Sequence, residues 1–200
     1  MLLELSAIVI GYLFGSIPTA YIIARLRKGV DIRDVDVGNV GAGNTFRQIG
    51  IWEGAVVTVV DVGKGVAAIL IARTLGVSEP WVLGAGFAAV LGHSYPFSIG
   101  FRGGQGAATI MGIFFVLAPE SMAIIWALIG IILFSKRHMF FERIFFAIFC
   151  TAPLLPLLIW LFGGSLPVIL YSIAIILFVI FRNRHRPGEM KGAPTGNTKR

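Results

Sequence analysis

Long, unbroken apolar runs alternate along this chain with short, glycine-rich polar segments. Leu2 to Ala24, Trp52 to Leu75, Trp81 to Pro96, Gly106 to Leu117, Ser121 to Phe134, Phe140 to Phe162 and Leu166 to Phe181 each carry few polar residues. The apolar positions are contiguous rather than every second one, so the pattern predicts helices and not barrel strands. Several runs approach the ~20 residues that a membrane-crossing helix needs. Backbone groups in lipid must bond within their own segment, which a helix achieves. The expected fold is all-α, a polytopic transmembrane protein with about seven helices. Pro18 predicts a kink in the first run. The third, fourth and fifth runs are short, so tilted or re-entrant segments are expected there, and about five to seven crossings bracket the count.

Composition agrees. Of 200 residues, 56% are hydrophobic and 14% charged, against roughly 25% charged in a soluble domain. Mean hydropathy is +0.86. No internal repeat or soluble domain interrupts the pattern, so residues 1–200 read as one integral membrane domain with a short basic tail, 182–200. The first run lacks a basic leader and a small-residue cleavage site, and reads as a span rather than a removed signal. The single cysteine, Cys150, excludes an internal disulfide. It is expected as a small residue facing lipid or a neighbouring helix.

Charge placement sets the orientation. Of 17 basic residues, 15 fall between the first and second runs, between the third and fourth, around the fifth-to-sixth link, or after the seventh. Positive residues favour the cytoplasmic side. With seven spans, the C-terminus is cytoplasmic and the N-terminus outside. The glycine-rich polar segments then share the cytoplasmic face, as an interfacial enzyme requires. A transporter would place polar groups at the midplane with access from both sides.

Four segments have the residues for chemistry. In Gly38-Asn39-Val40-Gly41-Ala42-Gly43-Asn44-Thr45-Phe46-Arg47, clustered glycines let backbone N–H groups converge as an anion nest. Asn39 and Asn44 add amide donors there, and Arg47 a guanidinium fork suited to phosphate. The alternative is a flexible loop ending in a topology-setting arginine. In Gly92-His93-Ser94-Tyr95-Pro96 and Arg102-Gly103-Gly104-Gln105-Gly106-Ala107-Ala108-Thr109, a glycine turn opens a helix whose N-terminus suits an anion. His93 is the candidate catalytic residue, as a base or as an orienter of a hydroxyl. It reads equally as a satisfied interfacial histidine. In Asp61-Val62-Gly63-Lys64-Gly65, two ionisable residues three apart share a helical face inside an apolar run. Such groups at membrane depth point to function, unless the lysine snorkels to the headgroups. Finally, Arg182-Asn183-Arg184-His185-Arg186 is a polybasic stop after the last run, with His185 and Arg186 set apart by the match described next. No zinc spacing, P-loop or dinucleotide fingerprint is present, so no metal or other cofactor is expected. The basic charge belongs to topology and not to nucleic acid.

These motifs, in this order, resemble the bacterial membrane acyltransferases that use acyl phosphate to acylate glycerol 3-phosphate at its first hydroxyl. The likeness runs from Gly15-Ser16-Ile17-Pro18 to His185-Arg186. Gly92 to Pro96 with Phe101 to Thr109 follows the family's GHxFP…FxGGKGVAT. Gly38 to Asn44 with Arg47 follows GSGNxGATN…R, Asp61 to Gly65 follows DxxKG, and His185-Arg186 opens HRxNIxR. The chain departs from the pattern at Val37, Gly43, Gln105, Gly188 and Lys191, and it lacks the serines of an RYVSLxS stretch near Arg137 to Arg143. Gln105 stands where the family has a lysine. The resemblance implies seven helices, cytoplasmic site loops, acyl phosphate and glycerol 3-phosphate as substrates, lysophosphatidic acid and phosphate as products, and no metal. Asn39, Gly41, Asn44, Arg47, His93, Arg102, Gly103, Gly104, Gln105, Gly106, Thr109, His185 and Arg186 are the expected substrate-binding residues. Membrane lipid is the further partner, and a bacterial inner membrane the expected location. Two alternatives stay open: a paralogue acting on another phospho-alcohol or with little activity, and a transporter or lipid-binding protein.

Overall fold

The computed structural model describes residues 1–36, 38–134, 147–148 and 150–184. Among these, the ordered elements are helical: α1 (Leu2–Gly15), α2 (Thr19–Lys28), α3 (Ala42–Gln48), α4 (Ile51–Thr74), α5 (Glu79–Ser94), α6 (Ala107–Leu117), α7 (Pro119–Phe134), α8 (Leu154–Leu161) and α9 (Leu166–Asn183). Single 3-10 turns lie at Ile32–Asp34 and Phe97–Ile99. The all-α polytopic architecture expected from the apolar runs is what the chain adopts.

Four stretches are long and apolar enough to cross a bilayer: Leu2–Lys28, Ile51–Thr74, Glu79–Ile99 and Leu166–Asn183. The third expected span is longer than its apolar run suggested: it starts at Glu79, with Pro80 in the first turn of α5, where its missing N–H costs nothing, and runs on through the turn at Phe97–Ile99. The first span is broken rather than kinked. Proline 18 interrupts the ladder, so α1 ends at Gly15 and α2 begins at Thr19. Helix α6 has 11 residues, about 16 Å at 1.5 Å per residue, and cannot alone cross a ~30 Å hydrocarbon core. It is the short element expected in the fourth run. The sixth expected span, Phe140 to Phe162, falls partly outside the described residues. Its described part includes α8 and Cys150, which is exposed.

Lipid offers no hydrophobic drive for helix association, so close packing must supply it. Small residues provide the approach. On α1, Gly11 and Gly15 lie against the Ala85 and Ala89 carbonyls of α5, and Gly92 of α5 lies against the Tyr12 carbonyl. Gly65 of α4 lies against the Thr109 carbonyl of α6, and Gly112 of α6 against the Val62 carbonyl. A Cβ at any of these positions would collide with backbone. Ile69, Val90, Ile113, Phe114, Ile129, Ile159 and Ile175 fill the core. Outward residues such as Val59, Ile131, Trp160 and Leu177 are exposed, as a lipid-facing surface requires. Helices α1, α4, α5 and α6 thereby form a tight frame that fixes the loops at one end.

Candidate functional site

The first motif loop is built by its own side chains. The Asp31 carboxylate accepts the Arg33 backbone N–H (3.0 Å) and holds the Arg33 guanidinium through Nε (2.9 Å) and Nη2 (2.6 Å). That bond holds the Asp31 carboxyl down to about 2. The remaining Arg33 Nη1 donates to the Ile99 carbonyl at 2.8 Å, tying this loop to the one after α5. Asn44 is fully buried. Its Nδ2 donates to the carbonyls of Ile32 (3.1 Å), Val35 (3.1 Å) and Asn39 (3.2 Å). Two hydrogens shared among three acceptors leave none for a ligand, so Asn44 knits the loop rather than offering an amide to substrate. Thr45 Oγ1 adds a bond to the Gly41 carbonyl, 3.0 Å.

The second motif folds back on the end of α5. Gly103 N–H donates to the Ser94 carbonyl (3.1 Å) and Gly104 N–H to the His93 carbonyl (3.0 Å). Both donors expected to face an anion are therefore spent on the helix end. The glycines are needed for a different reason. A Cβ on Gly104 would meet His93 Nε2 and the Val40 carbonyl, and one on Gly103 the His93 carbonyl. Gly106 takes a left-handed φ of 84°, which favours glycine, and turns the chain into α6. The first-turn N–H groups of α6 lack intrahelical acceptors, and Ala107 and Ala108 of that turn line the cavity described next.

Between the two loops lies a cavity of about 120 Å³. It is lined by Asn39, Gly41, Ala42, Gly43, Thr58, Asp61, His93 and Gln105, and by Gly106, Ala107 and Ala108 at the start of α6. Phe46, Met111, Trp126, Ile129 and Ile148 complete a mostly apolar lining. Asp61 lies ten residues beyond the start of α4, about 15 Å along it, so the site is recessed. Asp61 and Lys64 are both buried and joined at 2.5 Å. Lys64 Nζ also donates to the Ile17 carbonyl at the break between α1 and α2, 2.6 Å. The lysine does not snorkel; it neutralises Asp61 and bonds the carbonyl at that break. His93 Nδ1 stands 3.8 Å from Asp61 Oδ1, near enough for attraction and beyond hydrogen-bond length.

The structure thus gathers Asn39, Gly41, His93, Gln105 and Gly106 on one cavity. It places the other expected residues elsewhere. Arg47 is ion-paired to Asp36 at 2.7 Å and Arg102 is exposed; neither lines the cavity. Thr109 is fully buried between α6 and α4, a packing position. His185 and Arg186 lie outside the described residues, as do Val37, Gly188 and Lys191 and the Arg137 to Arg143 stretch. Sequence reasoning missed Thr58, Phe46 and the rest of the apolar lining. Helix α7 carries no polar pattern, so nothing local distinguishes Trp126 or Ile129 from lipid-facing residues.

Among the described residues, no group of three or more His, Cys, Asp and Glu could hold a metal ion.

Known proteins share this sequence pattern and this fold. The family model for glycerol-3-phosphate acyltransferase matches residues 5–191. The glycerol-3-phosphate acyltransferase of Endomicrobium trichonymphae is 36% identical over 184 residues, covering 92% of this chain and 90% of that one. That of Geobacter metallireducens is 35% identical over the full length of both chains. The crystal structure of PlsY (YgiH), an integral membrane glycerol 3-phosphate acyltransferase, superimposes in its glycerol 3-phosphate form with a TM-score of 0.82 at 33% identity, covering 94% of this chain and 91% of that one. Its lysophosphatidic acid form gives 0.79. Fold and site define a multi-pass membrane acyltransferase. The chain belongs to the glycerol-3-phosphate acyltransferase family.

Proposed function

We propose that this chain transfers an acyl group from acyl phosphate to the first hydroxyl of glycerol 3-phosphate, giving lysophosphatidic acid and inorganic phosphate. One observation carries the reading: motif segments far apart in sequence meet at one cavity whose mostly apolar lining also holds Asn39, Asp61, His93 and Gln105. An acceptor with hydroxyls and a phosphate suits the polar groups, and an acyl chain the apolar lining. The relatives' own names support the acceptor, and the two ligand forms of PlsY support acceptor and product. The acyl-phosphate donor comes from the motif resemblance.

The chemistry needs no covalent enzyme intermediate, because acyl phosphate carries its own leaving group. The acceptor oxygen attacks the acyl carbonyl carbon and forms the ester C–O bond. The C–O bond to phosphate then breaks, and the hydroxyl proton leaves on a phosphate oxygen. Asn39 and His93 orient the attacking hydroxyl. The N-terminus of α6, with Gln105 and Gly106, holds phosphate. Arg47 and Arg102 supply a positive field around the loops, and His185 and Arg186 join them by the family motif. Gly103 and Gly104 let backbone approach closely, Gly41 leaves room in the cavity lining, and Asn44 and Thr109 hold the frame. The positive-inside bias places this end of the molecule in the cytoplasm, the C-terminus with it, and the N-terminus across a bacterial inner membrane.

The test is phosphate release by the purified protein in detergent, supplied with palmitoyl phosphate and glycerol 3-phosphate. Release that requires both substrates is expected. Absence of acceptor-dependent release would sink the reading. The glutamine at position 105, in place of the family's lysine, motivates a second arm with other phospho-alcohols; release with one of these alone assigns a different acceptor.

A further inference from the structure

Two spans end side by side on the face that carries the motif loops. Glu79–Ile99 runs into the loop after α5, and Leu166–Asn183 closes α9. The Arg182 guanidinium lies over the Tyr95 ring, 4.8 Å from its centroid, and joins the two ends. The loop after α5 is closed by the Phe101 N–H on the Pro96 carbonyl (2.9 Å) and the Gly103 N–H on the Ser94 carbonyl (3.1 Å). Phe101 and Arg102 therefore emerge beside Tyr95. Tyr95, Phe101 and Phe181 all leave their rings exposed, and Arg102 and Arg184 are exposed with them. Arg184 sits over the Phe181 ring, 4.1 Å from its centroid. Phe101 takes a left-handed φ of 61°, a strained conformation for a bulky residue.

The charge of this patch is of one sign. From Trp81 to Leu117, and again from Leu166 to Arg184, the sequence has no Asp or Glu. Asp31 is tied to the loop through Arg33, which donates to the Ile99 carbonyl, but its carboxylate is already held by that same guanidinium. Aromatic rings at the end of a span stand where acyl chains meet headgroups. Arginines at that depth attract anionic lipid, and the guanidinium fork matches phosphate oxygens. We infer that Tyr95, Phe101 and Phe181, with Arg102, Arg182 and Arg184, bind an anionic phospholipid of the surrounding leaflet. Its phosphate meets the arginines, and its upper acyl chains cover the rings. The lipid would brace the end of α9 against the loop after α5, whose next residues, Gly103 and Gly104, pack on His93.

Native mass spectrometry of the full-length protein in neutral detergent tests this, with phosphatidylglycerol or phosphatidylcholine of matched chains added. Phosphatidylglycerol should be held at least about tenfold more tightly, since each nearby cation is worth roughly fivefold. Arg102→Gln and Arg184→Gln should each weaken phosphatidylglycerol about fivefold and phosphatidylcholine little. Arg182→Lys keeps the charge and should keep most of the binding, whereas Arg182→Gln should lose it. Arg73→Gln, in the last turn at the far end of α4, removes the same charge away from the patch and should change nothing. Equal retention of the two lipids by the wild-type protein would overturn the proposal. A loss in Arg73→Gln as large as in Arg102→Gln would also overturn it, by reducing the preference to net charge. Displacement of the lipid by millimolar inorganic phosphate would assign the patch to a free anion and overturn it too. None of these readouts requires turnover, so they stand apart from the acyl-transfer reading.

Discussion

Lys64 Nζ lies 2.5 Å from Asp61 Oδ1, and both side chains are 3% exposed. Three residues apart on α4, they form a buried ion pair that faces the substrate cavity through Asp61 and the broken first span through Lys64. The pair joins two features that the membrane makes costly, a carboxylate at depth and the Ile17 carbonyl at the break between α1 and α2.

Removing one partner strands the other. Lys64→Met leaves the Asp61 carboxylate buried without a counter-charge and the Ile17 carbonyl with the Thr19 N–H alone. Destabilisation of about 3–5 kcal/mol is expected. The double variant Asp61→Asn with Lys64→Met removes both charges and should recover much of that loss. Thermal unfolding in detergent compares them. A single variant as stable as the parent would show that the pair does not hold the fold.

Helix contact gives a test with an internal control. Gly65 lies against the Thr109 carbonyl, whereas a Cβ on Gly63, two residues earlier on the same helix, meets nothing within 4 Å. Gly65→Ala should separate α4 from α6 at a cost of about 1–3 kcal/mol. Gly63→Ala should be neutral or stabilising by up to about 1 kcal/mol, from helix propensity alone. Equal effects on melting temperature would refute the close-contact account.

The membrane spans were legible because burial in lipid writes itself as contiguous apolar sequence. The glycine-rich loops were legible as places where the backbone is approached closely, which the contacts of Gly103 and Gly104 bear out. The division of labour within them was not. Asn44 and Asn39 look alike in the sequence, yet the first spends its amide N–H groups on three carbonyls inside the loop while the second lines the cavity. Gly103 and Gly104 signalled close approach, but what approaches is the end of α5, a contact that only the folded chain reveals. Trp126 gave no signal at all, because a tryptophan facing a cavity and one facing lipid sit in the same apolar run.

Acid should expose the loop clamp. The Asp31 carboxyl is lowered to about 2, chiefly by its bond to the Arg33 side chain. A depressed carboxylate stabilises the fold fully above its ordinary value near 3.8, and that contribution is lost as pH falls from there through about 2. Asp31→Asn removes this component. The variant's melting temperature should fall less than the parent's between pH 5 and pH 2, and start lower at pH 5. Parallel curves for the two proteins would show that the Asp31–Arg33 clamp does not contribute.

Gln105 offers the most direct test of where phosphate sits. It lines the cavity just before α6, in the family's lysine position. A cation there adds charge-assisted hydrogen bonding to an anion already favoured by the helix N-terminus. Gln105→Lys should lower KM for glycerol 3-phosphate about tenfold, the effect of roughly 1.4 kcal/mol within the range of a charged hydrogen bond. The exposed Arg102 acts through solvent, where salt screens it. Arg102→Ala should therefore raise KM only about twofold at low ionic strength, with the difference vanishing at about 1 M salt. The Gln105→Lys effect should persist there, because a charge inside the cavity is poorly screened. Initial-rate kinetics at two salt concentrations separate the cases. A Gln105→Lys protein with unchanged KM would place the acceptor's phosphate away from the start of α6.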